Sequence, residues 1–279
     1  MNLPKLYRIL VEQHPRILIG GFVLLVIVLL AVMAPVIAPH DPTTQDLKLI
    51  YASRAPGYPL GTDDLGRCIY SRLLYGAHIS LMVGIISVGI GGVIGSALGL
   101  VAGLWGGMVN TFIMRLMDTM LAIPGILLAI AIVGALGPGM VNVMIAVGIS
   151  TIPKYARLVR GQVVSVKERE FVEGARAVGV PMYLIALRHI LPNIVAPILV
   201  VTTMGMGSAI LSAAGLSFLG LGAQPPSAEW GAMLSRGRSL LRIAPHVATY
   251  PGLAIFAAVI GFNLLGDGIR DYLDPRLKV

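Results

Sequence analysis

Between Ile79 and Met114 the chain runs for 36 residues without a charged side chain. No soluble fold absorbs such a run easily, because a helix that crosses the bilayer core needs only about 20 apolar residues. Similar runs recur at Ile17–Ala38, Thr119–Pro153 and Val247–Gly266. Mean hydropathy is +0.86 and only 12% of residues are charged. An all-α polytopic membrane protein is therefore expected. The first run is longer than the apolar core of a signal peptide, about 7–15 residues, and is expected to be retained as a span.

Two runs are too long for one crossing and carry their own breaks. "GLWGGMVN" (103–110) divides the first and "GALGPGM" (134–140) the second, both rich in turn formers. Six spans result, at about 17–38, 79–103, 111–134, 141–160, 193–217 and 247–266. Six crossings put both termini on one side. With the N-terminus inside, the cytoplasmic segments hold 14 of the 21 Lys and Arg residues, including Lys5, Arg8, Arg276 and Lys278. That excess predicts an N-in, C-in orientation. The expected organisation is a cytoplasmic N-terminus and first span (1–38), an extracytoplasmic segment (39–78) and a core transmembrane region (79–266). A cytoplasmic tail (267–279) ends it. Within the core lie a cytoplasmic loop (161–192) and an outer loop (218–246).

The net charge of +8 follows from that bias and does not call for nucleic acid as a partner. A single cysteine, Cys68, excludes an intrachain disulfide and any Cys-based metal site; no metal is expected. Lying in the outer segment, Cys68 is expected to react with a membrane-impermeant thiol reagent from outside. The five histidines, at 14, 40, 78, 189 and 246, are dispersed near span ends, which argues against an embedded enzyme. Ionisable groups at depth, which a secondary transporter uses for its coupling ion, are nearly absent. Arg115 and Asp118, three apart on one helix face, are expected to form a local ion pair. The dipeptide Gly-Lys never occurs, so the P-loop, which needs it to reach phosphates, is missing.

Small residues recur every four positions at Gly91, Gly95, Gly99 and Gly103, and again at Gly205, Ala209 and Ala213. Such stripes mark close helix–helix contact. The spacing leaves open whether the partner helix lies in this chain or another.

The densest charge in the chain lies in "KEREFVEGARAVGVPMYLIALRHILPN", Lys167–Asn193. Phe171, Val172, Ala175 and Val178 fall on one helical face. Glu173 is spaced to pair with Arg169 or Arg176. Gly179 suits a helix stop and Pro181 the first turn of a second short helix. The pattern alone is equally compatible with a helix lying on the membrane surface and with a knob offered to a partner protein.

"EGARAVG" followed by "ILP" resembles the cytoplasmic EAA loop of ABC importer permeases, matching at Glu173, Ala175, Gly179, Leu191 and Pro192, with Gly174 in place of an Ala. "PLGTDDLGRCIYSRLLYGAHISL" (59–81), "RLMDTMLAIPGILLAIAI" (115–132), "LSFLGLGAQPPSAEWGAMLSRGR" (216–238) and "NLLGDGIRDYLDPRLKV" (263–279) resemble the dipeptide, oligopeptide and nickel branch, in its C-type permease subunit. Cys68 stands where that pattern usually has Asp, and His78 where it often has Arg. The resemblance implies a type I ABC importer permease fold in the plasma membrane of a prokaryote (the inner membrane if Gram-negative). It also implies a paralogous permease, two ATPase subunits and an extracytoplasmic solute-binding protein. ATP and magnesium would sit on the ATPases, with no cofactor on this chain. The loop residues Glu173, Ala175, Arg176 and Gly179 would couple to the ATPase, with Pro181, Leu191 and Pro192 setting the loop geometry. Pro225, Pro226 and Trp230, in the outer loop, are expected to meet the binding protein or line the entrance. Peptides are the solute the resemblance implies first, then nickel chelates or glutathione.

Overall fold

A computed structural model describes residues 15–273. The expected cationic ends, with Lys5, Arg8, Arg276 and Lys278, lie outside the described residues. Eleven α-helices are found there: α1 (Pro15–Val32), α2 (Ala34–Ile37), α3 (Ile69–Trp105), α4 (Gly107–Leu121), α5 (Gly125–Leu136), α6 (Met140–Lys167), α7 (Glu170–Ala177), α8 (Met182–Leu184), α9 (Leu191–Phe218), α10 (Trp230–Gly237) and α11 (His246–Leu273). The described residues contain no strand, only two isolated bridges, Ala55–Tyr58 and Thr62–Cys68.

α3 is the axis of the molecule. At 37 residues it is about 55 Å long, and it starts ten residues earlier than the uncharged run suggests. Its glycine stripe lies along α6. A Cβ at Gly95 would fall 2.5 Å from the Ile152 carbonyl oxygen, and one at Gly99 2.4 Å from that of Ala156. Gly91 meets Thr151 in the same way and Gly103 meets Val163. The stripe therefore lets two backbones of this chain touch. Gly205 lies 3.0 Å (as a built Cβ) from the Tyr155 hydroxyl, and Ala209 and Ala213 are buried with Val83, Val88 and Val147 in the main apolar core. At the far side α1 closes on α11, where Gly20 and Gly261 leave room for the approach and Arg16 pairs with Asp271 at 3.2 Å.

Four helices, α1, α3, the continuous α8–α9 stretch and α11, are long and apolar enough to cross a membrane, and a fifth results if α4 and α5 count as one. The expected single span at 111–134 is corrected here: α4 and α5 meet at 91°. Pro124 is the cause, since it lacks an N–H and drives the residue before it out of the helical region. α6, expected as a span, is not apolar enough by that measure, because Lys154, Arg157, Arg160 and Lys167 in its second half lower its apolarity. Asp118 does not pair with Arg115; it pairs with Arg157, across from α4 to α6.

Candidate coupling site and the clamp at the opposite end

Two structures mark the ends of α3. At the Trp105 end, α6 stops at Lys167, whose Nζ donates to the Leu104 carbonyl at 2.6 Å. The chain turns through Arg169, in extended conformation, into α7. Val172 and Ala175 of α7 are buried against Val159, Val163 and Val166 of α6 and against Ile185, Ile190 and Ile194. That contact ties the short helix to both long neighbours.

The stop of α7 is a complete Schellman arrangement. Gly179 adopts φ +80°, its N–H donates to the Arg176 carbonyl at 2.9 Å, and the Val180 N–H donates to that of Ala175 at 3.0 Å. A residue with a Cβ is strained in that conformation. Pro181 then caps α8: the Leu184 and Ile185 N–H groups donate to its carbonyl. Residues Ile185–Ile190 widen into a π-helical turn before Leu191 and Pro192 open α9. Pro192 cannot donate to the carbonyl of Arg188, and its ring crowds that oxygen in an α-helix; the wider turn relieves the clash.

The expected apolar face of α7 splits in two. Val172 and Ala175 are buried, but Phe171 and Val178 are exposed, the latter 79%. The helix has eight residues, and its neighbours cover only one edge of it. The expected pairing of Glu173 with Arg169 or Arg176 is also absent: among the described residues Arg169, Glu170, Glu173 and Arg176 form no ion pair with the chain. Glu173 and Arg176 instead border a polar cavity of about 320 Å³, closed on the other side by Gly106, Asn110, Arg160 and Lys167.

The Ile69 end handles charge differently. Asp63, Arg67, Arg72 and Glu229 are all buried. Arg67 Nε donates to Asp63 Oδ2 at 2.7 Å and its Nη2 to Asp64 Oδ1 at 3.1 Å. Arg72 lies on α3. Its Nη1 donates to the Pro42 carbonyl at 2.8 Å and to that of Pro226, and its Nη2 to that of Ser227 at 3.0 Å. One side chain thus fastens both the segment after α1 and the loop after α9 to α3. Glu229 caps α10, accepting the Gly231 and Ala232 N–H groups at 2.8 Å each. Burial pushes its carboxyl above the usual carboxylate range, and those two N–H donors hold the rise in check.

Trp230, expected at an outer contact, is buried instead. Its Nε1–H donates to the Leu73 carbonyl at 3.0 Å, and its ring edge occupies the space left by Gly76. It anchors the loop and has no surface to offer a partner. Pro225 and Pro226 are exposed, and Pro226 borders an apolar cavity of about 600 Å³ with Ala31, Tyr75 and His78. Cys68 is 1% exposed, so the expected thiol labelling is corrected: a reagent cannot reach it. The buried arginines were missed from sequence, although "TDDLGRCIYSR" packs four charges beside a glycine turn; Gly66 there has Asp46 backbone 1.8 Å from a built Cβ, a sign of a tightly folded segment.

A buried charge network at one end, helices of membrane length and a short docked helix between α6 and α9 describe a polytopic membrane protein. Residues 95–279 match the family described as binding-protein-dependent transport system inner membrane component, and the chain belongs to it. Residues 13–56 match the N-terminal TM domain of oligopeptide transport permease C. It is thus an inner-membrane permease of the peptide branch of ABC importers. Among individual proteins, the glutathione transport system permease protein GsiD of Pectobacterium atrosepticum is 49% identical over 98% of this chain and 91% of its own length. The proteins of the same name from Escherichia coli and Shigella boydii are 50% identical over 96% of this chain and 88% of theirs.

Proposed function

We propose that this permease forms half of the pathway of an ATP-driven importer for glutathione or a short peptide. A paralogous permease forms the other half, two ATPase subunits supply energy, and a solute-binding protein delivers the solute from outside. Glutathione is itself a tripeptide, so one pathway chemistry serves both solutes. The relatives' names favour glutathione over nickel chelates.

One observation carries the coupling role: α7 is fixed to α6 and α9 through Val172 and Ala175, while Arg169, Glu170, Glu173 and Arg176 stay exposed and, among the described residues, unpaired. A helix so held moves with two spans when something grips its free side. Glu173, Ala175, Arg176 and Gly179 are the coupling residues, and Pro181, Leu191 and Pro192 keep the loop in register. The gripping protein is the ATPase, because this chain lacks the P-loop. On this reading α7 and both termini lie on the cytoplasmic side, the orientation that the Lys and Arg excess favours. ATP then acts by binding the outward-open assembly more tightly than the inward-open one.

The test is uptake of labelled glutathione by the four-subunit complex in proteoliposomes supplied with the binding protein. Uptake is expected only when ATP is present on the α7 side. Uptake that continues after ATP depletion, with a proton gradient intact, overturns the proposal.

A further inference from the structure

The helices of this chain expose two kinds of face. α1 presents Phe22 and Leu25, and α4 presents Met108 and Phe112, as helices in lipid do. α6 departs from this. After Val141 it exposes no large apolar side chain, and its accessible stripe is Lys154, Arg157, Gly161 and Ser165, continued by Glu168 just past its end. Spacings of three and four put these on one face.

The packing against α3 fixes the depth of that face. Lys154 lies level with Gly95, which touches Ile152 and Tyr155, and Arg157 level with Gly99, which touches Ala156 and Val159. About 15 Å of helix rise separates Gly95 from Trp105. Trp105 is 65% exposed, a residue type that marks the membrane interface. The hydrocarbon core is about 30 Å thick, so Lys154 sits near its middle. At the same levels the other side of α3 exposes Val93, Ile94 and Val101. One side of the α3–α6 pair therefore faces lipid. The other carries ionisable groups at a depth where such groups face water or a protein interior.

Arg157 is held by Asp118, with both side chains about half exposed. Lys154 has no hydrogen-bond or ionic partner among the described residues. We infer that the Lys154–Arg157 face of α6 is a water-facing wall of the translocation pathway, and that Lys154 receives a carboxylate of the solute in passage. The inference rests on the permease function proposed above. Glutathione carries two carboxylates and any free peptide at least one. One unpaired ammonium beside an internally paired guanidinium makes a site that attracts an anion and still lets it go, as conduction requires.

Two readouts separate the wall from the solute. Lys154→Cys, in the complex assembled in nanodiscs, is expected to react with a charged, water-soluble methanethiosulfonate, and several-fold faster with the anionic reagent than it does when Arg157→Gln is added. Gly161→Cys, where a side chain meets open space, is a second reporter on the same face. Buried Cys68 adds no background. Reaction with a lipid-soluble maleimide alone, or with neither reagent at both positions, overturns the wall. In glutathione uptake, Lys154→Gln is expected to lose at least tenfold and Lys154→Arg to keep most activity; equal uptake by Lys154→Gln overturns the carboxylate contact. A wild-type complex that does not carry glutathione defeats the proposed solute and leaves the cysteine result to decide the wall.

Discussion

Two regions at opposite ends of α3 hold most of the chain's interesting charge. Around Ile69, Arg67 and Arg72 are each 1% exposed; Asp63, Asp64 and three backbone carbonyls accept from them, and Arg72 Nε faces Asp63 Oδ2 at 3.5 Å. Around Trp105, the charges of α7 stand in the open and form no ion pair among the described residues. A buried charge must be satisfied at home because nothing arrives later to satisfy it. An exposed, unpaired one costs nothing to keep and is available to another protein. The same residue types therefore build a clamp at one end and a contact surface at the other.

The largest effect is expected from breaking the clamp. Arg72→Ala leaves Asp63 with one partner fewer and three carbonyls bare in a buried site, a loss of about 3–5 kcal/mol. The variant should be scarce in the membrane and unfold at lower temperature in detergent. Normal abundance and an unchanged transition would show that the clamp is dispensable.

The comparison sharpens at the other end. Glu173→Lys removes no ion pair among the described residues, so abundance and membrane assembly should stay normal. Lost pairing at a protein interface costs about 2–5 kcal/mol, read as weaker ATPase co-purification and lost uptake. Gly179→Val, strained by about 1–3 kcal/mol at φ +80°, should lose uptake through a misplaced α7 with less effect on abundance than Arg72→Ala. Full uptake in both would reduce α7 to a surface helix.

A smaller effect belongs to Glu229. Its folded pKa is raised, so the stability it contributes is full below about pH 4.5, the usual glutamate value, and is lost as pH climbs through the raised one. Glu229→Gln removes that titration and one of two N-cap acceptors, worth about 1 kcal/mol. Unfolding followed from pH 4 to 8 should show wild type losing ground to the variant as pH rises. A constant gap would assign Glu229 an ordinary, solvent-like pKa.

Local chemistry made the α7 end legible. Gly179 and Pro181 each act within a few residues, and the structure has the short helix, the glycine stop and the second helix where those residues put them. The stripe at Gly91–Gly103 was equally plain, though only the fold supplies α6 as its neighbour. What could not be read depends on distant partners. Asp118 ignores Arg115, three residues away, for Arg157, 39 residues away. Trp230 looked like a contact residue until Leu73, 157 residues earlier, proved to hold it. Pro124 stood in view, but an uninterrupted apolar run hid the bend it makes.

The burial of Cys68 has a consequence for redox chemistry. Thiol–disulfide exchange starts with a thiolate reaching a sulfur atom, so it depends on access as well as ionisation. The chain's single thiol lies in a closed pocket at the start of α3. A peptide thiol or its disulfide passing through the membrane therefore meets no sulfur on this subunit with which to form a mixed disulfide. Oxidised and reduced cargo are alike to it in that respect.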